Sequence, residues 1–429
     1  MKIKGGIVIA LVLVLIFSVV MAGCTTPTPT PEPTPTPEPK VIKLGNIMPL
    51  SGPCTTWGLP ESRGVQVWVD LINEAGGVEV AGENYILEPY FYDDTCYVPT
   101  ESLKGVQKGV FDEGILIWQG TPTVGVVEAV APFLKEQGGL WVTHGASSGI
   151  RPEWPHVMAG FTLWPQYYPM AFEYLAEQYP EVKTIAILGP DTPYTPSDQA
   201  WIDIGVQAEG WDTVYNEVFP METVDFSPVV SAILDKNPDL ICLDGTPSTA
   251  IPNIMEIAKD SGYTGKWEAI AWHMPSLLEK IPAEYVEGAI GSVPLLDNPD
   301  LVHPMLYAVY EEFNNRWPGE WALDAVAGVI PLSMVVEAMK MAGTTTDTVA
   351  INETLLSTDP FPHPYFGDCR WGGKELWGAD HYLMTPAFVG EVKDGKHSVA
   401  AVVSFADYYE ENIDIIIQTL SENGMVTAK

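Results

Sequence analysis

From residue 41 the chain alternates two kinds of apolar pattern. "VIKLGNIMPL" is a near-continuous apolar run of strand length, and "ESRGVQVWVDLINEAGG" follows it. In that second segment Val65, Trp68, Ile72 and Ala75 recur at helical spacing, and Gly76-Gly77 supplies a stop. The same pairing repeats: "YILEPYFYDD" as strand with "TESLKGVQKGVFDEG" as helix, then "ILIWQG" with "TVGVVEAVAPFLKEQGG", then "LWVTHG". Strand–helix alternation of this kind predicts a parallel sheet with helices on both faces.

The irregular segment "ASSGIRPEWPHVMAGFTLWPQYYP" interrupts the rhythm, which then restarts. "TIAILGPD", "WDTVYNEVFP", "LICLDG" and "WEAIAW" read as strands. A helix over about Pro196–Glu209, "DFSPVVSAILDKNPD" and "TAIPNIMEIAKDSGY" read as the helices between them. The expected architecture is α/β with two Rossmann-like runs joined near residues 160–166. Beyond Gly288 helical stretches extend to about Met341. "YLMTPAFVGEV" and "HSVAAVVSF" then read as a hairpin about the Asp394-Gly395 turn. Ligands of open parallel sheets sit beyond the carboxyl ends of the strands. The candidate loops are therefore "SGPCTTWG", "QGTPTVG", "HGASSG", "GPDTPYT", "DGTPST" and "AWHMPS".

The first forty residues carry a different signal. Lys2 and Lys4 precede an apolar stretch, Ile7–Met21, broken only by Ser18. This is the length of a signal-peptide core and short for a membrane span. Ala22-Gly23 then meets Cys24, which resembles a lipobox whose cysteine is lipidated, with Met21 where leucine is usual. An ordinary cleaved signal and an uncleaved anchor are the alternatives. Residues 24–40 carry proline at nearly every second position, which favours extended polyproline II and a spacer reaching roughly 50 Å from a membrane. Residues 1–23 are thus expected to be a lipoprotein signal peptide and 24–40 a tether.

The formal net charge of −35 disfavours a phosphate-backbone partner, so nucleic acid is not expected. The acidic residues are spread along the chain without a DxDxDG loop, and no metal or cofactor is expected. Hydrophobic content of 46% fits a packed globular protein, and residues 24–429 are too many for one usual core. Cysteines 54, 96, 242 and 369 form no CxxC pair. Cys54 and Cys96 each follow a strand, so neighbouring strand ends can bring them together as a disulfide. Cys242–Cys369 is a second possible pair. No GxSxG, HExxH or Walker loop is present, and the seven histidines are scattered singly, so an enzyme is not expected.

In order and spacing, "LGNIMPLSGP…WG", "INEAGGV", "PYFYDD", "DFSPVVSAILDKNPDLICLDG" and "AKDSGYTG" resemble the type I periplasmic binding proteins. The likeness is to the branched-chain amino-acid-binding receptors of ABC transporters, over about Val41–Phe405. The resemblance implies two lobes, three crossovers and a non-enzymatic receptor that closes on a small-molecule solute by hinge motion and delivers it to a membrane permease. The expected division is 41–162 plus 292–365 for lobe one and 163–291 plus 366–429 for lobe two. A monomer is expected, tethered outside the cytoplasm. A ligand sensor for a signalling partner is the alternative reading.

Carried over by that resemblance, Gly145, Ala146 and Ser147 of "HGASSG", with Thr121 and Thr123 of "GTPTVG", would meet a ligand carboxylate. Each loop has the alternative of an ordinary Gly/Ser loop or a helix cap. Trp57 and Tyr194 occupy positions of aromatics that close over the ligand from the two lobes, a core Trp being the alternative for Trp57. Thr246 lies in the loop "DGTPST". Where the family holds the ligand amine with carboxylates, this chain offers Trp164 and Gln166 in "FTLWPQYY" and Trp272 and His273 in "AWHMP". The missing acids, and Trp57, Trp118, Trp164 and Trp272 near strand ends, point to a larger or flatter ligand. An aromatic or aliphatic carboxylate, an amide or a caged quaternary cation would fit.

Overall fold

The computed structural model describes residues 39–428 except 121, 122, 145–148, 163, 164, 193 and 293. The signal segment, Cys24 and the tether up to residue 38 lie outside the described residues. Lys40–Lys429 forms one compact unit.

The first run is β1 (Lys40–Met48), α1 (Thr55–Glu74), β2 (Val78–Val80), β3 (Glu83–Asp93), α2 (Pro99–Glu113), β4 (Ile117–Gly120), α3 (Val124–Gln137), β5 (Leu140–Thr143) and β6 (Val157–Ala159). The second is α4 (Tyr167–Gln178), β7 (Thr184–Pro190), α5 (Thr195–Ala208), β8 (Asp212–Phe219), α6 (Ser227–Leu234), β9 (Leu240–Leu243), α7 (Ile251–Asp260), β10 (Lys266–Ala269), α8 (Met274–Leu278) and β11 (Ile290–Gly291). Helices α9 (Pro304–Arg316), α10 (Asp324–Ala327), α11 (Val329–Ala342) and α12 (Thr348–Ser357) follow, then β12 (Phe361–His363), β13 (Gly367–Gly372), α13 (Lys374–Trp377) and β14 (Tyr382–Met384). The chain closes with β15 (Ala387–Lys393), β16 (Lys396–Val403), α14 (Phe405–Glu411) and α15 (Ile413–Glu422).

These strands form two sheets, one ordered β12-β13-β14-β6-β5-β4-β1-β3-β2 and the other β16-β15-β11-β10-β9-β7-β8. The interiors are parallel, as the strand–helix rhythm requires. The edges are antiparallel: β2 on β3 and β12–β14 in the first sheet, β15 and β16 in the second. Among the described residues the chain passes between the sheets three times, after β6, after β11 and after β14.

The expected lobe boundary at 365/366 is corrected here. Gly367–Gly372 and Tyr382–Met384 pair in the first sheet, and the last crossing comes at Thr385-Pro386. "YLMTPAFVGEV" looks continuous because both halves are apolar. Pro386 cannot donate to a ladder and divides it between two sheets. The hairpin itself stands as expected, with Asp394 and Gly395 at φ 50° and 73°. The short β2 and β6 carry too few residues for a period and are absent from the sequence reading. Helix α1 begins at Thr55, six residues before the expected Glu61, because Pro60 is accommodated inside it and does not open it.

The first core lies between its sheet and helices, with Leu44, Val65, Trp68, Met158, Ile330 and Met334 all essentially inaccessible. Asp324–Ala342 is long and apolar enough to cross a membrane by composition, yet 78% of its most apolar window is buried in the fold, so it reads as a core element. Gly64 lets α1 touch α10: a Cβ there would stand 1.7 Å from the Ala325 carbonyl oxygen. The first and last crossings are tied together by buried bonds. The Thr162 N–H donates to Thr385 Oγ1 at 2.8 Å, and the Tyr382 hydroxyl donates to Thr162 Oγ1 at 2.9 Å. Cys242 and Cys369 belong to different sheets and are both free and buried, which corrects that pairing.

Candidate ligand cleft between the two lobes

The loop after β3 is built by two adjacent carboxylates. Asp93 Oδ1 accepts the N–H groups of Leu50, Ser51 and Thr95 at 2.9–3.1 Å, and Asp94 Oδ1 accepts those of Cys96 and Tyr97 at 3.2 and 2.9 Å. Burial pushes the Asp93 carboxyl upward, but the Ser51 hydroxyl and the three N–H donors outweigh it and hold it below its usual range. Thr95, Cys96 and Tyr97 all have positive φ (60°, 113° and 57°), a conformation unfavourable for residues with a Cβ. The disulfide between Cys54 and Cys96 is present, as expected, with the Cα atoms 5.0 Å apart.

The consequence is an aromatic pair at the mouth of the first lobe. Trp57, in the first turn of α1, is 48% exposed and stacks on Tyr97, with ring centroids 6.4 Å apart and planes at 21°. Tyr194, at the N-cap position of α5 in the second lobe, is also exposed and lies close enough to perturb the Tyr97 phenol. Burial raises that phenol first, and Glu61, Asp324, Asp94 and then Tyr194 add to the rise. Tyr97 therefore sits where the lobes face each other.

Behind the aromatics lies a polar floor. Glu61 projects from α1 one turn before Val65, is 3% exposed, and places Oε1 3.4 Å from His144 Nδ1. Burial raises its pKa well above the usual carboxylate value. The Asp324 and Asp94 charges add to this, and a bond from Gln119 opposes it. Asp324 is lifted to about 6 by burial, and burial holds His144 neutral, its pKa down to about 4. Gln119 donates to Asn46 Oδ1 at 2.8 Å.

The second lobe presents a matching pair. Asp244 follows β9 and Asp198 lies in the first turn of α5; they are 1% and 3% exposed. The Tyr168 hydroxyl donates to Asp244 Oδ1 at 2.7 Å. Burial and the neighbouring Asp244 charge lift the Asp198 carboxyl to about 9, and burial lifts Asp244 to about 6. Two such groups cannot both ionise there at neutral pH. Behind them Glu268, wholly buried and accepting from Cys242 Sγ at 2.9 Å, is raised by burial to about 8.

Several expected site residues stand elsewhere. Trp272 is 6% exposed, packs in the second core and donates its indole N–H to the Ile290 carbonyl at 2.8 Å, so it is a core residue. Trp118 is likewise buried, donating to the Ile115 carbonyl at 3.0 Å. His273 caps α8, with Nδ1 2.7 Å from Ser276 Oγ. Thr246 is buried and bonded to the Leu188 carbonyl at 3.3 Å, at the cleft end of β9 beside Asp244. Thr123 holds the N-cap position of α3 with extended backbone. Gln166, 1% exposed at the N-cap of α4, has neither amide atom hydrogen-bonded among the described residues. Thr121, Gly145, Ala146, Ser147 and Trp164 lie outside the described residues.

The sequence pattern does not single out Glu61, Tyr97, Asp198, Asp244 or Asp324, which the fold places beside the candidate cleft. Glu61 was detectable, being a carboxylate on the Val65–Trp68–Ile72 stripe. Asp324 carries no such mark.

Two α/β lobes joined by three crossings, with aromatics facing across the gap, define the scaffold of a two-lobed solute receptor. The chain belongs to the periplasmic binding protein family, whose pattern matches residues 41–396. A Leu/Ile/Val-binding protein of Rhizobium johnstonii is 28% identical over 206 residues, 48% of this chain and 54% of that protein, so the chain matches about half the length of that relative. A leucine-, isoleucine-, valine-, threonine- and alanine-binding protein of Pseudomonas aeruginosa is 22% identical over 302 residues, 69% and 78% of the two chains. Among solved structures, a leucine-binding protein of Thermotoga maritima superposes with TM-score 0.61 at 21% identity, over 85% of this chain and 99% of that one. A solute-binding protein of Rhodopseudomonas palustris, solved with p-hydroxybenzoic acid, gives TM-score 0.60 at 18% identity, over 85% and 97%. These likenesses establish the fold.

The raised carboxyls make a prediction about pH. An unfolded carboxyl ionises near ~4, whereas folded Glu268 and Asp198 hold protons to about 8 and about 9. Their stabilisation is complete below the unfolded value and is lost as pH rises through the folded ones. Buried His144 and His363 and half-buried His381, depressed to about 4, 3 and 4, act oppositely, but only below about 6.5. The unfolding midpoint should therefore fall between pH 7 and 9, and Asp198→Asn should flatten that fall. Calorimetry showing a level or rising midpoint over that interval would contradict the assignment.

Proposed function

We propose that this chain is a lipid-anchored extracytoplasmic receptor that closes on a small amino-acid-like solute and presents it to the permease of an ABC importer. The observation that carries the reading is the approach of Tyr194 on the second lobe to the Trp57–Tyr97 pair on the first. Aromatics at a gap spanned by three connections suit a hinge that buries a ligand between the lobes. The bonds linking Thr162, Tyr382 and Thr385 supply a fixed pivot. Further support comes from what the relatives are named for binding, branched-chain and small amino acids, and from the hydroxybenzoate in one structural neighbour.

Between an amino acid and a deaminated acid, the buried carboxylates favour the first, because an ammonium needs an acceptor of opposite charge. The lipid anchor rests on Ala22-Gly23-Cys24 after the apolar stretch.

Thermal unfolding of residues 40–429 against aliphatic and aromatic amino acids tests the receptor reading. A solute at 100 times its Kd should add ~2.7 kcal/mol to stability and raise the midpoint visibly. A panel of small solutes in which none shifts the midpoint would count against it. In cells, Cys24→Ser should move the full chain from the membrane to the soluble fraction; an unchanged distribution would remove the anchor.

A further inference from the structure

The second lobe carries another concave site, which shares no residue with the six candidate loops. A cavity of about 340 Å³ opens between α4, the end of β16 and α14. Glu173 and Glu177 line it from α4, one turn apart, and Asp407 and Glu411 line it from the α14 side at the same spacing. Like charges four residues apart on a helix destabilise it, and here two such pairs share one cavity. Among the described residues Glu173, Glu177 and Glu411 have no cation within ion-pair distance. Asp407 reaches Arg370 Nη2 only at 3.9 Å, and that guanidinium is bonded to Glu410. Burial, then the charges of Glu209, Glu177, Glu411 and Asp407, raises Glu173 to about 7, so its ionised form has no local compensation.

A second observation is independent of charge. Tyr408 forms part of the cavity wall, is 2% exposed, and its hydroxyl has no hydrogen-bond partner among the described residues. A buried hydroxyl ordinarily finds a partner, so this one marks a place for a donor or acceptor that the chain does not supply. Burial and then the Glu209 and Glu173 charges raise the phenol, which puts it on the acidic side of the cavity. The other tyrosine of the wall is already engaged, the Tyr174 hydroxyl donating to Glu391 Oε2 at 2.8 Å. Among the described residues no three carboxylates converge closely enough to hold a metal ion. Side chains one turn apart stand about 5–6 Å from each other, which suits two ammonium groups joined by a short alkyl chain. The end of β16 adds the apolar Ala401, Val402 and Val403 to the wall for that chain. We propose that this cavity, walled by Glu173, Glu177, Asp407, Glu411 and Tyr408, is a second ligand site that binds an organic dication. Its ammonium groups would meet the two acidic pairs, and one N–H would donate to the Tyr408 hydroxyl. The site goes beyond the receptor reading and does not depend on which solute the cleft takes.

Calorimetric titration of the full chain at pH 8 and low salt, with 1,4-diaminobutane as the probe, tests this. Butylamine and magnesium chloride serve as the monovalent and inorganic controls. The diamine is expected to bind with one site per chain, and butylamine at least tenfold more weakly. Glu173→Gln and, independently, Tyr408→Phe should each weaken diamine binding roughly tenfold. Using both guards against one variant misfolding, and an unfolding scan verifies each. Trp57→Ala, at the cleft, should leave diamine binding unchanged. No diamine binding by the folded parent overturns the site. So does binding that Glu173→Gln and Tyr408→Phe both leave unchanged, or that Trp57→Ala abolishes, which would assign the diamine to the cleft. Magnesium binding that Glu173→Gln abolishes, with diamine no tighter than butylamine, would overturn it as well.

Discussion

Three consecutive residues held in the left-handed conformation, Thr95, Cys96 and Tyr97, are the constraint on which the cleft depends. Each costs on the order of 1–2 kcal/mol when it bears a side chain. Asp93 and Asp94 offset this by gathering five backbone N–H groups, and the Cys54–Cys96 crosslink holds the turn to the start of α1. The reverse bend aims Tyr97 back at Trp57 and toward the second lobe. A relaxed loop between β3 and α2 would leave that ring with no reason to face the gap.

The rest of the site hangs from α1. Its first turn carries Trp57, its next turn Glu61, and Gly64 below that sets the contact with α10 that brings Asp324 alongside. Helix, disulfide and turn thus form one rigid edge of the cleft. The opposite edge is the end of the second sheet, where Asp198 and Asp244 share a buried space and Tyr194 opens α5. Solute specificity in such a scaffold is set by groups displayed at strand ends, while the sheets supply only position.

Much of the scaffold was legible in the chain. The strand–helix rhythm gave both sheets, the turn glycines gave the closing hairpin, and the two cysteines after adjacent strands gave the disulfide. Pro386 hid a change of sheet inside one apolar run, and β2 and β6 were too short to show a period. The site was legible only in part. Trp57 and Tyr194 are exposed, whereas Trp118 and Trp272 sit near strand ends and are buried, which periodicity cannot distinguish in a strand buried on both faces. The buried carboxyls Glu61, Asp198 and Asp244 stand at positions other than those the resemblance singles out. Glu61 violates the apolar stripe of its own helix and could have been noticed, whereas Asp324 and Asp244 acquire meaning only through tertiary contact.

The crosslinked left-handed turn positions the Tyr97 ring against Trp57. The most direct measurement compares the affinity of the parent unit 40–429 and its Cys54→Ser/Cys96→Ser variant for a solute that binds the parent. Opening a crosslink of sequence separation 42 should cost about 4 kcal/mol of stability. At a temperature where the variant remains folded, the account predicts affinity weakened by about tenfold or more as Tyr97 leaves the cleft, equivalent to at least ~1.4 kcal/mol. A folded variant that binds with the parent's affinity would contradict it.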